Sequence, residues 1–140
     1  EFKRNNIFGA TVFSVYAMTM YSIALTMTIT TSTVLNPGNL SHYAIGLVGI
    51  LIFSLIATAA SMMTNKVLFA ILIAVDLAVA LLIPHYLFEM SAQPAGVFLI
   101  LTSVLSFYAA AAILINTMAG RIVLPVGKPL WIPKKPTHNF

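Results

Sequence analysis

Cysteine is absent from this 140-residue chain, which excludes disulfides, thiol catalysis and cysteine-ligated clusters. Charge is scarce. Asp, Glu, Lys and Arg make up 7% of the residues, against about a quarter in soluble domains. There is no glycine-rich phosphate loop, no nucleophile elbow and no paired-carboxylate arrangement, so nothing argues for an enzyme, a catalytic residue or a cofactor. An initiator Met is also missing, as expected of a processed form or a fragment. What the chain has in abundance is apolar surface, with 60% of its residues hydrophobic.

The apolar residues fall into four long runs, about residues 7–34, 44–63, 67–87 and 95–118. Each matches the ~20 residues that cross the hydrocarbon of a bilayer as a helix. In lipid, helices and closed barrels alone satisfy their own backbone, and uninterrupted apolar runs select helices. The first run is too long for a signal-peptide core and lacks a small-x-small cleavage site. All seven basic side chains lie on one side of this ladder. Lys3 and Arg4 precede the first run, Lys66 separates the second and third, and Arg121, Lys128, Lys134 and Lys135 follow the fourth. The positive-inside rule produces such a pattern, placing both termini on the cytoplasmic or matrix face. The net charge of +4 therefore belongs to a membrane pattern and does not point to nucleic acid.

The expected fold is an all-α membrane protein, four transmembrane helices in an antiparallel up-down bundle over residues 1–120. The Asn36-Pro37-Gly38-Asn39 turn separates the first two helices, with Asn39 or Ser41 as cap, and Asn65 caps the third. Pro84 falls near the end of the third helix and Pro94 in the first turn of the fourth. Ala70, Ala74 and Ala78 repeat every four residues, as do Thr102, Ser106 and Ala110, a spacing that lets membrane helices approach closely. The hydroxyls of Ser14, Ser22, Thr26 and Thr30 either bond to preceding carbonyls or line a polar path. Residues 121–140 carry Pro125, Pro129, Pro133 and Pro136 and form no helix. Arg121, Trp131, Lys134 and Lys135 suit either a segment lying among lipid headgroups, with bound phospholipid, or a tail docked on a partner protein.

Asp76 is the most pointed single residue. A carboxyl near mid-bilayer costs about 2.5–3.5 kcal/mol on insertion scales and faces a partner, a cavity or a relay. It is either a neutral acid bonded to a hydroxyl or to Asn116, or a proton or carboxylate site beside Val75. His42 and His85 share the face without basic residues, with Glu89 near them in sequence, and His138 lies in the tail; they make no metal site.

The opening Glu1-Phe2-Lys3-Arg4-Asn5-Asn6-Ile7-Phe8-Gly9, the turn Thr64-Asn65-Lys66-Val67-Leu68, and the closing Gly120-Arg121-Ile122-Val123-Leu124-Pro125-Val126-Gly127 together resemble the acetate/succinate transporter family of bacterial and fungal permeases. The resemblance covers nearly the whole chain up to Gly127 and implies kinship with the last four of six transmembrane helices. It implies a ring-shaped hexamer with a path through each protomer. The narrow point would be marked here by Tyr16, Val75 and Ser106. The family's Asn-Pro-Ala-Pro-Leu-Gly motif has no counterpart. Where the family has two Glu residues, this chain has Ile113 and Thr117, keeping only Asn116.

Two functions follow. These departures point first to an accessory subunit of a larger energy-converting complex, such as one in the mitochondrial inner membrane, surrounded by lipid and other membrane subunits. The retained Tyr16, Ser106 and Asn116, with Asp76, point instead to a protomer of a homo-oligomeric monocarboxylate channel or proton-coupled permease.

Overall fold

The computed structural model describes residues 7–31 and 41–132. They form four α-helices and, among the described residues, no strand: α1 Ile7–Thr31, α2 Ser41–Ser61, α3 Lys66–Phe88 and α4 Gln93–Ala119. Each reaches roughly 30 Å or more at 1.5 Å per residue. All four are long and apolar enough to cross a membrane. The Asn36-to-Asn39 turn, with the cap expected at Asn39, lies outside the described residues, as do residues 32–34 of the first run and the side chain of Ser41, whose backbone opens α2.

The chain divides into two compact units, Glu1–His42 and Tyr43–Phe140. In the first, three threonines of α1 turn their hydroxyls back on their own helix. Thr19, Thr26 and Thr28 donate to the carbonyls of Val15, Ser22 and Ala24 at 2.8–2.9 Å. A Thr in a membrane helix satisfies its hydroxyl this way without leaving its own turn.

In the second unit, α2 and α3 form an antiparallel hairpin. Tyr43 meets Tyr86 edge to face at 5.3 Å, and Ser54 and Thr58 reach Asp76. Pairs whose numbers converge toward the turn are the mark of opposite chain directions. The turn, residues 62–65, is held by the last carbonyls of α2: Met62, Met63 and Thr64 donate their N–H groups to Ala59, Ala60 and Ser61. Asn65 is extended (φ −150°, ψ 160°), and its side chain accepts from the Leu68 N–H at 2.9 Å. This is the N-cap expected there, one of the orphan donors of a helix start supplied with an acceptor.

Helix α3 buries Ile71, Leu72, Ala74, Val75, Asp76, Ala78 and Val79 and packs on α4. Pro84 sits inside its last turns, and the helix continues to Phe88. The connection to α4 begins at Glu89, whose φ of 54° is left-handed. A left-handed non-glycine costs about 1–2 kcal/mol, and glycine would add roughly 0.5–1 kcal/mol of chain entropy to lose. Glu89→Gly is therefore expected to stabilise the protein by about 0.5–1 kcal/mol. A lower apparent melting temperature in detergent would contradict this.

Pro94 occupies the first turn of α4, where a missing N–H costs nothing. The row of Thr102, Ser106 and Ala110 is not the packing stripe of this helix: Ser106 and Ala110 are exposed. The less exposed positions instead include Ala95, Phe98, Thr102, Leu105, Ala109, Ala112 and Asn116, alternating three and four residues apart. A seam that alternates three and four follows one side of a helix, and a strict four-residue row drifts away from it. The opposite side of α4, with Val97, Ile100, Val104, Phe107, Leu114 and Met118, is exposed and apolar.

Candidate functional site

Asp76 lies ten residues into α3, roughly 15 Å from its start, and is 8% exposed. Its two carboxyl oxygens each accept from a different hydroxyl of α2. Ser54 Oγ donates to Oδ1, and Thr58 Oγ1 donates to Oδ2 at 2.7 Å. Ser54 and Thr58 stand one helical turn apart, so their side chains point the same way and straddle one carboxyl. Val75 is buried beside Asp76. Among the described residues no buried side-chain nitrogen or oxygen is left without a partner, as burial in an apolar medium requires. Of the two kinds of partner expected for Asp76, the structure supplies hydroxyls and not Asn116. The sequence signal for them was available: Ser54, Thr58 and Ser61 recur at four and three residues on α2, and Ser54 and Ser61 are fully buried.

Asn116 is engaged elsewhere. At the end of α4 the chain leaves through Gly120 in a left-handed C-cap (φ 64°) and turns back as a strap, residues 121–132. Asn116 holds that strap with both ends of its amide. Oδ1 accepts from the N–H groups of Val123 and Leu124 at 2.7 and 2.9 Å, and Nδ2 donates to the Leu124 carbonyl at 2.8 Å. Tyr108 adds a bond from its hydroxyl to the Pro125 carbonyl at 2.8 Å.

The far end of the strap caps the α2–α3 hairpin. Val67 donates its N–H to the Val126 carbonyl at 3.2 Å, and the Met62 carbonyl accepts from Leu130 and Trp131 at 2.8 and 3.1 Å. Met62 follows α2 and Val67 starts α3, where helix ends expose unpaired backbone groups. The proline-rich segment thus completes two helix termini at once. Asn116→Ala removes three hydrogen bonds, partly replaced by water, and should weaken the strap by about 1–2 kcal/mol. The amides of Val123, Leu124, Leu130 and Trp131 should then exchange about tenfold faster. Unchanged exchange at Leu130 and Trp131 would show that the hairpin holds the strap without Asn116.

Tyr16 lies on α1, in the first unit, while Val75, Asp76, Ser106 and Asn116 belong to the second. Ser106 is exposed on α4, and Ile113 and Thr117 are exposed near its end. Arg121 and Trp131 are exposed on the strap, whereas Lys134, Lys135, His138 and the side chain of His42 lie outside the described residues. His85 packs edgewise on Tyr86 at 5.0 Å, and its Nδ1 contacts the Met90 carbonyl at 2.6 Å. A carbonyl only accepts, so Nδ1 carries the proton. Among the described residues no three metal-ligating side chains converge.

The chain matches the family described as GPR1/FUN34/yaaH over residues 1–129. Among solved structures it is similar to the bacterial acetate channel SatP, with a TM-score of 0.80 and 22% identity over 91% of this chain and 71% of that one. That likeness is one of fold. A search of curated proteins finds no match.

Proposed function

We propose a function from one premise: this chain belongs to the GPR1/FUN34/yaaH family. It is a membrane protein, and the proposal is that it serves as the protomer of a channel or permease for small monocarboxylates of the acetate class. The observation that carries this is the Asp76 carboxyl held by two hydroxyls at mid-span, beside Val75. A carboxyl placed there is costly, and such groups mark substrate or proton routes. The two hydroxyls of α2 hold both carboxyl oxygens in one fixed orientation at that depth. The basic ends of the helices face the compartment of insertion, the cytoplasm or, in an organelle, the matrix.

The test is acetate uptake into liposomes holding the purified chain and an internal pH dye. Asp76→Asn should assemble normally and lose proton-linked uptake at least tenfold. Uptake equal to the unmodified protein would make the carboxyl a packing device.

A second reading, an accessory subunit in a larger membrane complex, is favoured by a different observation. Asn116, retained from the family motif, is used to hold the strap, and the Glu positions beside it are Ile113 and Thr117. In that reading the exposed apolar side of α4 is covered by unrelated subunits. Mass spectrometry of the protein extracted in its native membrane separates the two: copies of one chain support the channel, and a single copy among other proteins supports the subunit.

A further inference from the structure

We propose that the strap, together with Lys66, is a docking surface for anionic phospholipid headgroups. The backbone of the strap faces inward, tied to Met62, Val67, Asn116 and Tyr108. Side chains that take no part in those ties lie open to the outside. Arg121, Lys128 and Lys66 are exposed, and so are Ile122, Leu130, Trp131 and Ile132, with Trp131 57% and Ile122 80% exposed. These two sets share one end of the helical unit. Gly127 lies against the Lys66 side chain, which brings Lys128 to the start of α3, and Arg121 follows α4 at the same end.

Among the described residues no acid side chain stands near these charges. Among the described residues the acids are Asp76 and Glu89. Asp76 is buried and occupied by its hydroxyls. Glu89 closes the other end of α3, roughly 35 Å from Lys66. Screening in physiological salt has a length of about 8 Å, so Glu89 does not neutralise the cations. A partner for this surface needs negative charge at a fixed depth and apolar material directly beneath it. An anionic phospholipid offers both, the phosphate to the Lys and Arg heads and the acyl-chain boundary to the indole and the Ile side chains. The strap adds rigidity, because side chains on a tied backbone lose little freedom when the lipid arrives.

Trp131 is the single tryptophan of the chain and reports on its own neighbours. The full chain is reconstituted in vesicles in which either phosphatidylglycerol or phosphatidylcholine carries brominated acyl chains, at equal mole fraction. Brominated phosphatidylglycerol should quench Trp131 several-fold more than brominated phosphatidylcholine. Each cation contributes up to about fivefold to that preference, so Arg121→Gln with Lys128→Gln should reduce the ratio to the share left by Lys66, and high salt should bring it near one for the unmodified protein. Equal quenching by the two lipids, or a preference that survives both the double substitution and salt, overturns the proposal. Absence of quenching by either lipid also overturns it. The salt arm needs no variant, so misfolding of the double substitution leaves the result readable.

Discussion

Replacing Ser54 by alanine and Thr58 by valine together is expected to destabilise the protein by about 3–5 kcal/mol, more than removal of Asp76 itself. The asymmetry comes from what each deletion leaves behind. Without the two hydroxyls, a carboxyl that is 8% exposed keeps its oxygens in the apolar interior with no donor. A buried acceptor stripped of its partner costs about 1–3 kcal/mol, and a charged one more. Without the carboxyl, as in Asp76→Leu, the hydroxyls have another outlet. Thr19, Thr26, Thr28 and Thr102 all bond to the carbonyl four residues earlier in their own helices, and Ser54 and Thr58 can turn in the same way. The cost of Asp76→Leu should then be about 1 kcal/mol or less. Apparent melting temperatures in one detergent for the unmodified protein, the Ser54/Thr58 double substitution and Asp76→Leu give the comparison directly. Adding Asp76→Leu to the double substitution should recover most of the loss. If Asp76→Leu proved the more damaging change, the carboxyl would be holding more than these two hydroxyls.

That cluster also shows how far the sequence carries. The four helices were legible because lipid imposes a length and forbids unpaired backbone, and runs of apolar residues meet both conditions. Asn65 and Pro94 were legible because capping and proline chemistry act within a single turn. Asp76 stood out because a lone acid in an apolar run has one sign and no local excuse. The spacing of Ser54, Thr58 and Ser61 marks its partners only weakly, since hydroxyls satisfied by their own helix and hydroxyls reaching across to another look alike in a sequence. Ser54 and Thr58 do the second, Thr26 the first. The seam of α4 was misplaced for a related reason. Small residues at a spacing of four suggest a contact, but a crossing helix follows an alternation of three and four, so Ser106 and Ala110 rotate outward while Ala109 and Ala112 turn in. Asn116 was legible as a family residue and illegible in its role, because the loop it holds lies seven and eight residues further on, beyond a helix end.

Gly127→Ala is expected to cost about 2–5 kcal/mol. Two separate faults add there. Gly127 has a φ of 79°, and a residue with a Cβ in that region loses about 1–2 kcal/mol from contact with its own backbone. The new Cβ would also stand 2.8 Å from the Cβ of Lys66, with Cγ and Cδ at 3.0 and 3.1 Å. Cβ is fixed to the helix α3 backbone, so rotating the lysine side chain relieves Cγ and Cδ and leaves the worst overlap in place. Overpacking of this kind costs about 1–3 kcal/mol. The faults separate by substitution at the neighbour. Lys66→Ala keeps Cβ and should rescue little, whereas Lys66→Gly removes the overlapping atom and should restore the steric share while leaving the backbone share. Gly120 provides the internal control. It has a φ of 64° but nothing within 4 Å of an added Cβ, so Gly120→Ala should show the backbone cost alone. Melting temperatures for the four variants and hydrogen exchange at Leu130 and Trp131 read both effects. Equal losses for Gly120→Ala and Gly127→Ala would mean that the strap moves off Lys66 without penalty. The capping of Met62 and Val67 would then be too weak to define one resting position for the strap.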